Sequence, residues 1–316
     1  MDFISMPKIE LHAHLSGSIS RQCLHEIWLK RKENGEMRLQ DPLVEMPLDK
    51  FDYDLQTTNS VLKDFQADGV IYLELRTTPR AIPSANITKD DYVQTILRCI
   101  SDFSASSQST KTPMTTKLIL SIDRRNDLPT AMSVVDLALK YQSQGVVGID
   151  LCGDPAKGDV SIFAPAFQKA KANSLSITIH FAESPLSSTE KELQTLLSYE
   201  PDRIGHVINV PDDIKEEIVR RKLGLELCLS CNVHARMITG SFSDHHFGWW
   251  KGTGCPITLC TDDVGVFGSP LSNEYVLIAQ HFNLGRKEIC DVARSGIDKI
   301  FGGEDEKERL RKIMWT

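Results

Sequence analysis

The chain has 316 residues, of which 41% are hydrophobic and 25% charged, with a formal net charge of −7. That supplies enough apolar chain for a large core without staples, and it excludes a global basic field that would recruit nucleic acid or an anionic membrane. No stretch approaches the roughly 18 consecutive apolar residues of a membrane span, and the start, MDFISMPKIELHAHL, shows no basic segment leading into an apolar one, so no secretory leader is expected. Short apolar runs, rich in Ile, Leu and Val and bounded by Gly, Pro, Asp or Asn, recur at 8–14, 70–76, 117–123, 146–151, 176–181, 203–207, 225–229 and 256–261. Such runs suit parallel strands covered on both faces. Helical periodicity separates them at 90–103, 128–141, 162–172, 190–197 and 212–222, with closing helices at 276–280 and 286–301. The polar stretch 101–116 reads as a mobile surface loop. Eight strands alternating with helices predict an α/β fold, a TIM (β/α)8 barrel with additional C-terminal closing helices, formed by a single domain over 1–316. A doubly wound open sheet is the competing fold, disfavoured because no Gly-rich phosphate turn follows the first strand.

In such a barrel the chemistry sits at the C-terminal ends of the strands. The first run ends in His12-Ala13-His14, and residues two apart on a strand point the same way. The fifth ends in His180, the sixth in His206, and the eighth in Asp262-Asp263. A lone strand-end histidine is usually a hydrogen-bonded core residue, and paired aspartates usually form a turn or cap. Four imidazoles and a carboxylate at one barrel mouth are costly to bury without a metal or counter-charge. Three imidazoles and a carboxylate with an open position suit catalytic zinc. No lysine lies on the fourth strand to bridge a second ion, so one Zn2+ is expected, on His12, His14, His180 and Asp262. His206 and Asp263 are then available beside the metal, and Glu183, three residues after His180, is placed to donate a proton.

Eight cysteines are scattered through apolar runs, as expected for reduced thiols in a cytoplasmic protein. Cys228 and Cys231 form a CxxC, with Cys255 and Cys260 further on. A four-thiolate zinc site is disfavoured, because both pairs adjoin strand-like runs rather than zinc knuckles.

The segments PKIELHAHLSGSI (7–19), DGVIYLELRTTPR (68–80), VVGIDLCGDP (146–155), HFAE (180–183), DRIGH (202–206), LELCLSCNV (225–233), LCTDDVGVF (259–267) and LSNEY (271–275) together resemble the adenosine/AMP deaminases of the amidohydrolase superfamily. Within that family, ELRTTPR, LILSIDRR, DHHF and TDDVGVF look most like the adenosine-deaminase-like branch that acts on N6-methyl-AMP. The resemblance implies zinc-dependent replacement of the 6-amino or 6-alkylamino group of a purine by water. It implies that Glu183 protonates N1, that His206 orients and deprotonates the water, and that Asp263 hydrogen-bonds the attacking oxygen and N7. It also implies that the Gly153 N–H meets N3. Ser16, Gly153, Asp154, Arg80, Asn232 and His245 are the candidate substrate contacts. A phosphate would draw on donors among Arg76, Arg80, Arg124, Arg125, Ser230, Asn232, His245 and His246. The sequence departs from the family at Ser16, where Asp or Asn is usual, and in the stretch 51–69, which is shorter than in relatives. The expected reaction is N6-methyl-AMP to IMP plus methylamine. The alternatives are adenosine deamination, or a zinc barrel impaired by the short stretch. The expected partner is a small purine nucleotide or nucleoside, with no nucleic acid or membrane, and the expected state is a monomer.

Overall fold

The structure is a computed structural model describing residues 2–35, 40–44, 54–107 and 112–314. Eight strands pair in sequence order: β1 (Lys8–His14), β2 (Val70–Thr77), β3 (Thr115–Asp123), β4 (Val146–Cys152), β5 (Ser176–Phe181), β6 (Arg203–His206), β7 (Gly224–Leu227) and β8 (Ile257–Leu259). Every neighbouring pair is parallel. A parallel bridge between Ala13 and Asp262 joins the two ends. There the His14 N–H donates to the Asp262 carbonyl at 3.0 Å and the Asp262 N–H to the His12 carbonyl at 2.9 Å. The expected (β/α)8 barrel is what forms.

Helices α1 (Arg21–Glu33) and α2 (Asp54–Ala67) link β1 to β2. Then α3 (Lys89–Ser106), α4 (Leu128–Tyr141), α5 (Ala164–Ala172), α6 (Glu190–Ser198) and α7 (Asp212–Arg221) each follow a strand. After β7 come α8 (Leu229–His234) and α9 (Phe247–Trp250). After β8 come α10 (Val264–Phe267), α11 (Leu271–His281), α12 (Arg286–Ser295) and α13 (Glu304–Met314). Local chemistry sets their starts. A Thr88–Asp91 capping box opens α3, and Asp127, followed by a proline in the first turn, opens α4. Such caps satisfy N–H groups that have no partner inside the helix.

Three sequence expectations shift. The stretch 101–116 is not a loop throughout: 101–106 complete α3, burying Phe103, and Thr115 and Thr116 begin β3. Residues 108–111 lie outside the described residues. The apolar run 225–229 breaks after Leu227, and Leu229 starts α8. The last closing helix stops at Ser295, and a 3-10 turn, Ile297–Lys299, follows it. Among the described residues, no helix is long and apolar enough to cross a membrane. All eight cysteines are free.

The strands bury a polar layer as well as an apolar core. Glu226 is fully buried and accepts from Arg76 at 2.8 Å, Arg203 at 2.6 Å and Thr178 at 2.8 Å. Arg203 continues to Glu74 at 2.5 Å, and Arg76 approaches Asp150 at 3.3 Å. Burying these charges requires mutual pairing, since an unpaired ion there would cost several kcal/mol. The layer lies beneath the histidines and fixes their direction.

Candidate active site

Three strand ends, those of β1, β5 and β8, converge on one point. Donor atoms of His12, His14, His180 and Asp262 all lie within 4.8 Å of one another. The far nitrogens are tied down: His12 Nδ1 is 2.7 Å from Glu226 Oε2, and His180 Nδ1 is 3.0 Å from Asp150 Oδ1. A carboxylate at Nδ1 places the proton there and leaves the Nε2 lone pair aimed inward, the usual arrangement behind a metal-binding imidazole. His14 Nε2 and His180 Nε2 are 3.0 Å apart. Asp262 Oδ1 lies 3.6 Å from His12 Nε2 and 3.4 Å from His14 Nε2.

The residues fit a divalent cation. His12 Nε2 is buried without a hydrogen-bond partner in the protein. Burial and Arg76 disfavour a charged His12, yet the flanking carboxylates of Asp262 and Glu226 outweigh them and push its pKa up to about 9. The position therefore favours positive charge between two carboxylates. Burial holds His14 down at about 3, neutral as a ligand must be. Cys231 Sγ donates to Asp262 Oδ2 at 2.9 Å and steadies the carboxylate. Cys228 also comes near Asp262 and His206. Among the described residues no four-thiolate group forms, and the CxxC packs against the histidine site instead.

Around this group stand the other expected residues. Glu183 follows β5, its pKa raised by burial and by the nearby Asp262 against the pull of His180. Its Oε1 lies 3.9 Å from His206 Nε2, and that nitrogen is also 3.9 Å from Asp262 Oδ2. Burial holds the His206 pKa well below its ordinary value. Asp263 is half-buried against Gly17, where an added Cβ would sit 1.4 Å from its Oδ1. Gly205 likewise leaves room for His12, since a Cβ there would lie 2.6 Å from the ring. Ala182, His206, Val207 and Asp262 all take left-handed φ angles, from 49° to 64°. Such backbone costs about 1–3 kcal/mol per residue and clusters at functional sites.

The candidate substrate contacts divide. Ser16 is half-buried after β1, and Gly153, at φ 104°, follows β4 beside Asp123. Asp154 is exposed and accepts from the Ala156 N–H at 2.9 Å. Arg80 is half-buried against Tyr92, 3.3 Å from its hydroxyl. Asn232 and His245 are instead interior residues, 0% and 2% exposed, bonded to each other, and Asn232 is bonded in turn to His206. Arg76 and Arg124 are buried and engaged by carboxylates, Arg125 is bound to Asp123, and Ser230 is bound to Glu274. Sequence reasoning missed Asp150, Glu226, Gly17 and Gly205. A charged residue in the middle of an apolar run was the available signal for the first two.

A parallel barrel whose mouth gathers three imidazoles and a carboxylate, with a glutamate of raised pKa beside them, defines a barrel hydrolase with a metal-capable centre. The family model described as adenosine deaminase matches residues 54–315. An Arabidopsis thaliana N6-mAMP deaminase is 38% identical, over 98% of this chain and 96% of its own. A Homo sapiens N6-methyl-AMP deaminase is 35% identical, over 98% and 93%. The crystal structure of Arabidopsis ADAL complexed with IMP superposes with a TM-score of 0.88 at 36% identity, covering 99% of this chain and 97% of that one. The chain belongs to the adenosine deaminase family, and it is a hydrolytic deaminase. The alignment with the first relative extends over 348 residues against 316 here, so that relative carries stretches this chain lacks. In the short stretch 51–69, residues 51–53 lie outside the described residues and Asp54–Ala67 form α2, which buries Val61, Leu62 and Phe65.

Proposed function

We propose that the protein hydrolyses the C6–N6 bond of N6-methyl-AMP, giving IMP and methylamine. The reading is carried by Glu183, a partly buried carboxyl outside the ligand group but adjacent to it and 3.9 Å from His206 Nε2. Two relatives named for this activity, at 38% and 35% identity over nearly the whole chain, support the substrate. His12, His14, His180 and Asp262 would hold one zinc ion, which when bound acts as a Lewis acid and brings the pKa of water to about 7.

The side chains carry the proton traffic. Glu183, whose pKa is raised by burial, gives its proton to N1 as the water oxygen adds to C6. His206 and Asp263 hydrogen-bond that oxygen. C6 then becomes a carbonyl and the C6–N6 bond breaks. Of the two protons the water sheds, one restores Glu183 and the other leaves on the amine. The Gly153 N–H and the Asp154 segment would meet the purine edge, Ser16 the ribose end, and Arg80 the phosphate. Arg76 and Arg124 do not serve the phosphate, because buried carboxylates hold them. The test is product analysis in water enriched in heavy oxygen. Labelled O6 in IMP, equimolar methylamine and about one zinc per chain are expected. Unchanged N6-methyl-AMP with the zinc site filled would overturn the reading.

A further inference from the structure

The four imidazoles at the barrel mouth differ in what binds their far nitrogens. His12 and His180 each have a carboxylate at Nδ1, at 2.7 and 3.0 Å. His206 has instead the Asn232 side-chain amide, 3.1 Å from its Nδ1. The other atom of that amide lies 3.1 Å from His245 Nε2. His245 Nδ1, in turn, accepts the backbone N–H of Phe247 at 3.0 Å. All three side chains are essentially buried, at 0%, 0% and 2% exposure for His206, Asn232 and His245.

This chain of bonds can be followed from its fixed end. A backbone N–H can only donate, so His245 Nδ1 is an acceptor and the His245 proton sits on Nε2. That proton requires an acceptor, so the Asn232 oxygen faces His245. The Asn232 NH2 therefore faces His206 and donates to Nδ1. His206 Nδ1 is left without a proton, and the ring proton of neutral His206 sits on Nε2. The direction follows from the Phe247 amide and does not depend on how the Asn232 amide is drawn. Burial holds His245 neutral, at about 2.

We propose that Asn232 and His245 are positioning residues that fix His206 as the Nε2–H tautomer, so that it presents a hydrogen-bond donor, not a lone pair, to the reacting centre. His206 Nε2 is buried without a protein partner and points between Glu183 and Asp262. An N–H in that place stabilises negative charge on the oxygen that adds to C6. It cannot ligate a metal or accept the first proton from water. The family resemblance cast His206 as the base, and the relay moves that duty to another group. The same logic separates ligands from donor: a carboxylate behind the ring makes Nε2 a ligand, whereas an amide donor behind it makes Nε2 an N–H.

The relay also gives a role to DHHFGWW (244–250). His246 Nε2 donates to the His206 carbonyl at 2.6 Å, and Trp250 Nε1 donates to the Val207 carbonyl at 3.3 Å. Both carbonyls belong to residues with left-handed backbone, at φ 64° and 49°. The loop before β8 thus braces both the backbone and the tautomer of His206.

The catalytic consequence rests on the deaminase reading, but the tautomer does not. In zinc-loaded protein labelled with 15N-histidine, proton–nitrogen correlation spectra, assigned with His206→Gln and His245→Gln, report which ring nitrogen carries the proton. The proposal expects Nε2–H with a bare Nδ1 at His206 in the unaltered protein, and a bare Nε2 there would overturn it. Asn232→Asp offers acceptors to both rings and should move the His206 proton to Nδ1. It should lower kcat for N6-methyl-AMP about 100-fold, the scale of losing one donor to an oxyanion, with little change in KM. A moved proton with unchanged kcat would remove the donor role. The spectra can be read whether or not the protein turns over this substrate, so failure of the relay and failure of the substrate reading remain separate results.

Discussion

At the scale of single residues, what stands behind or beside each reactive atom decides its role. Glu183 is useful because burial and Asp262 keep its proton on at higher pH than a solvated glutamate would. A rate that needs the neutral acid is therefore present at low pH and lost as pH rises through the elevated pKa. Glu183→Gln preserves the shape and removes the acid. We expect kcat to fall about 10²–10⁴-fold with zinc content unchanged, as read by steady-state kinetics beside elemental analysis. Turnover near that of the unaltered protein would contradict the role. The residues His12, His14, His180, His206, Glu183 and Asp262 at or just after strand ends were legible in the sequence, because so many metal-competent side chains closing runs that share one barrel mouth are costly to bury without a metal. Asp150 and Glu226 were not, since nothing in the local pattern says which imidazole a mid-strand carboxylate will face. Asn232 and His245 read as rim donors. Their burial depends on how α8 and the 241–250 segment fold over β6, a relation between distant parts of the chain that periodicity does not carry.

At the scale of elements, the strands were legible because both faces are covered, which makes each run apolar throughout. All eight residues of β2 are buried. The end of β7 was not legible, because an apolar run that passes from a strand into a short buried helix has no periodicity long enough to mark the change. The Ser-rich end of α3 was read as loop for its composition, while tertiary burial of Phe103 holds it helical. Helix α8, after β7, and the segment between α10 and α11, after β8, are tied together by Glu274 on α11. It is fully buried, and it accepts from the Ser230 N–H at 3.1 Å and the Ser269 hydroxyl at 2.7 Å. Burial pushes its pKa up to about 7, against 4.5 for a solvated glutamate. The folded state then holds a proton that the unfolded chain releases at lower pH. The stability this contributes is full below about pH 4.5 and is lost as pH rises through about 7. Glu274→Gln removes the dependence. Between pH 5 and 8 its stability should gain on the unaltered protein by an amount on the order of 3 kcal/mol, followed by denaturant titration at both pH values. An unchanged difference between the two proteins would contradict a neutral buried Glu274.

At the scale of the whole molecule, a chain of net charge −7 must recognise an anionic nucleotide through local donors alone. Most of the arginines near the mouth are spent inside the protein. Arg76 and Arg203 compensate Glu226 and Glu74 in the barrel floor, and Arg124 pairs with Glu192 at 2.5 Å. The pairing of Arg76 with Glu226 and Asp150 keeps His12 and His180 aimed, and Arg80 at the end of β2 is the cation proposed for the phosphate. A charged hydrogen bond of about 1.5–3 kcal/mol, made in the transition state, corresponds to at least a tenfold preference. The most direct test is kcat/KM for N6-methyl-AMP, AMP and adenosine, measured side by side on zinc-loaded protein. IMP should form from N6-methyl-AMP with a kcat/KM at least about tenfold above that for unphosphorylated adenosine. Adenosine hydrolysed as well as N6-methyl-AMP, or better, would contradict it.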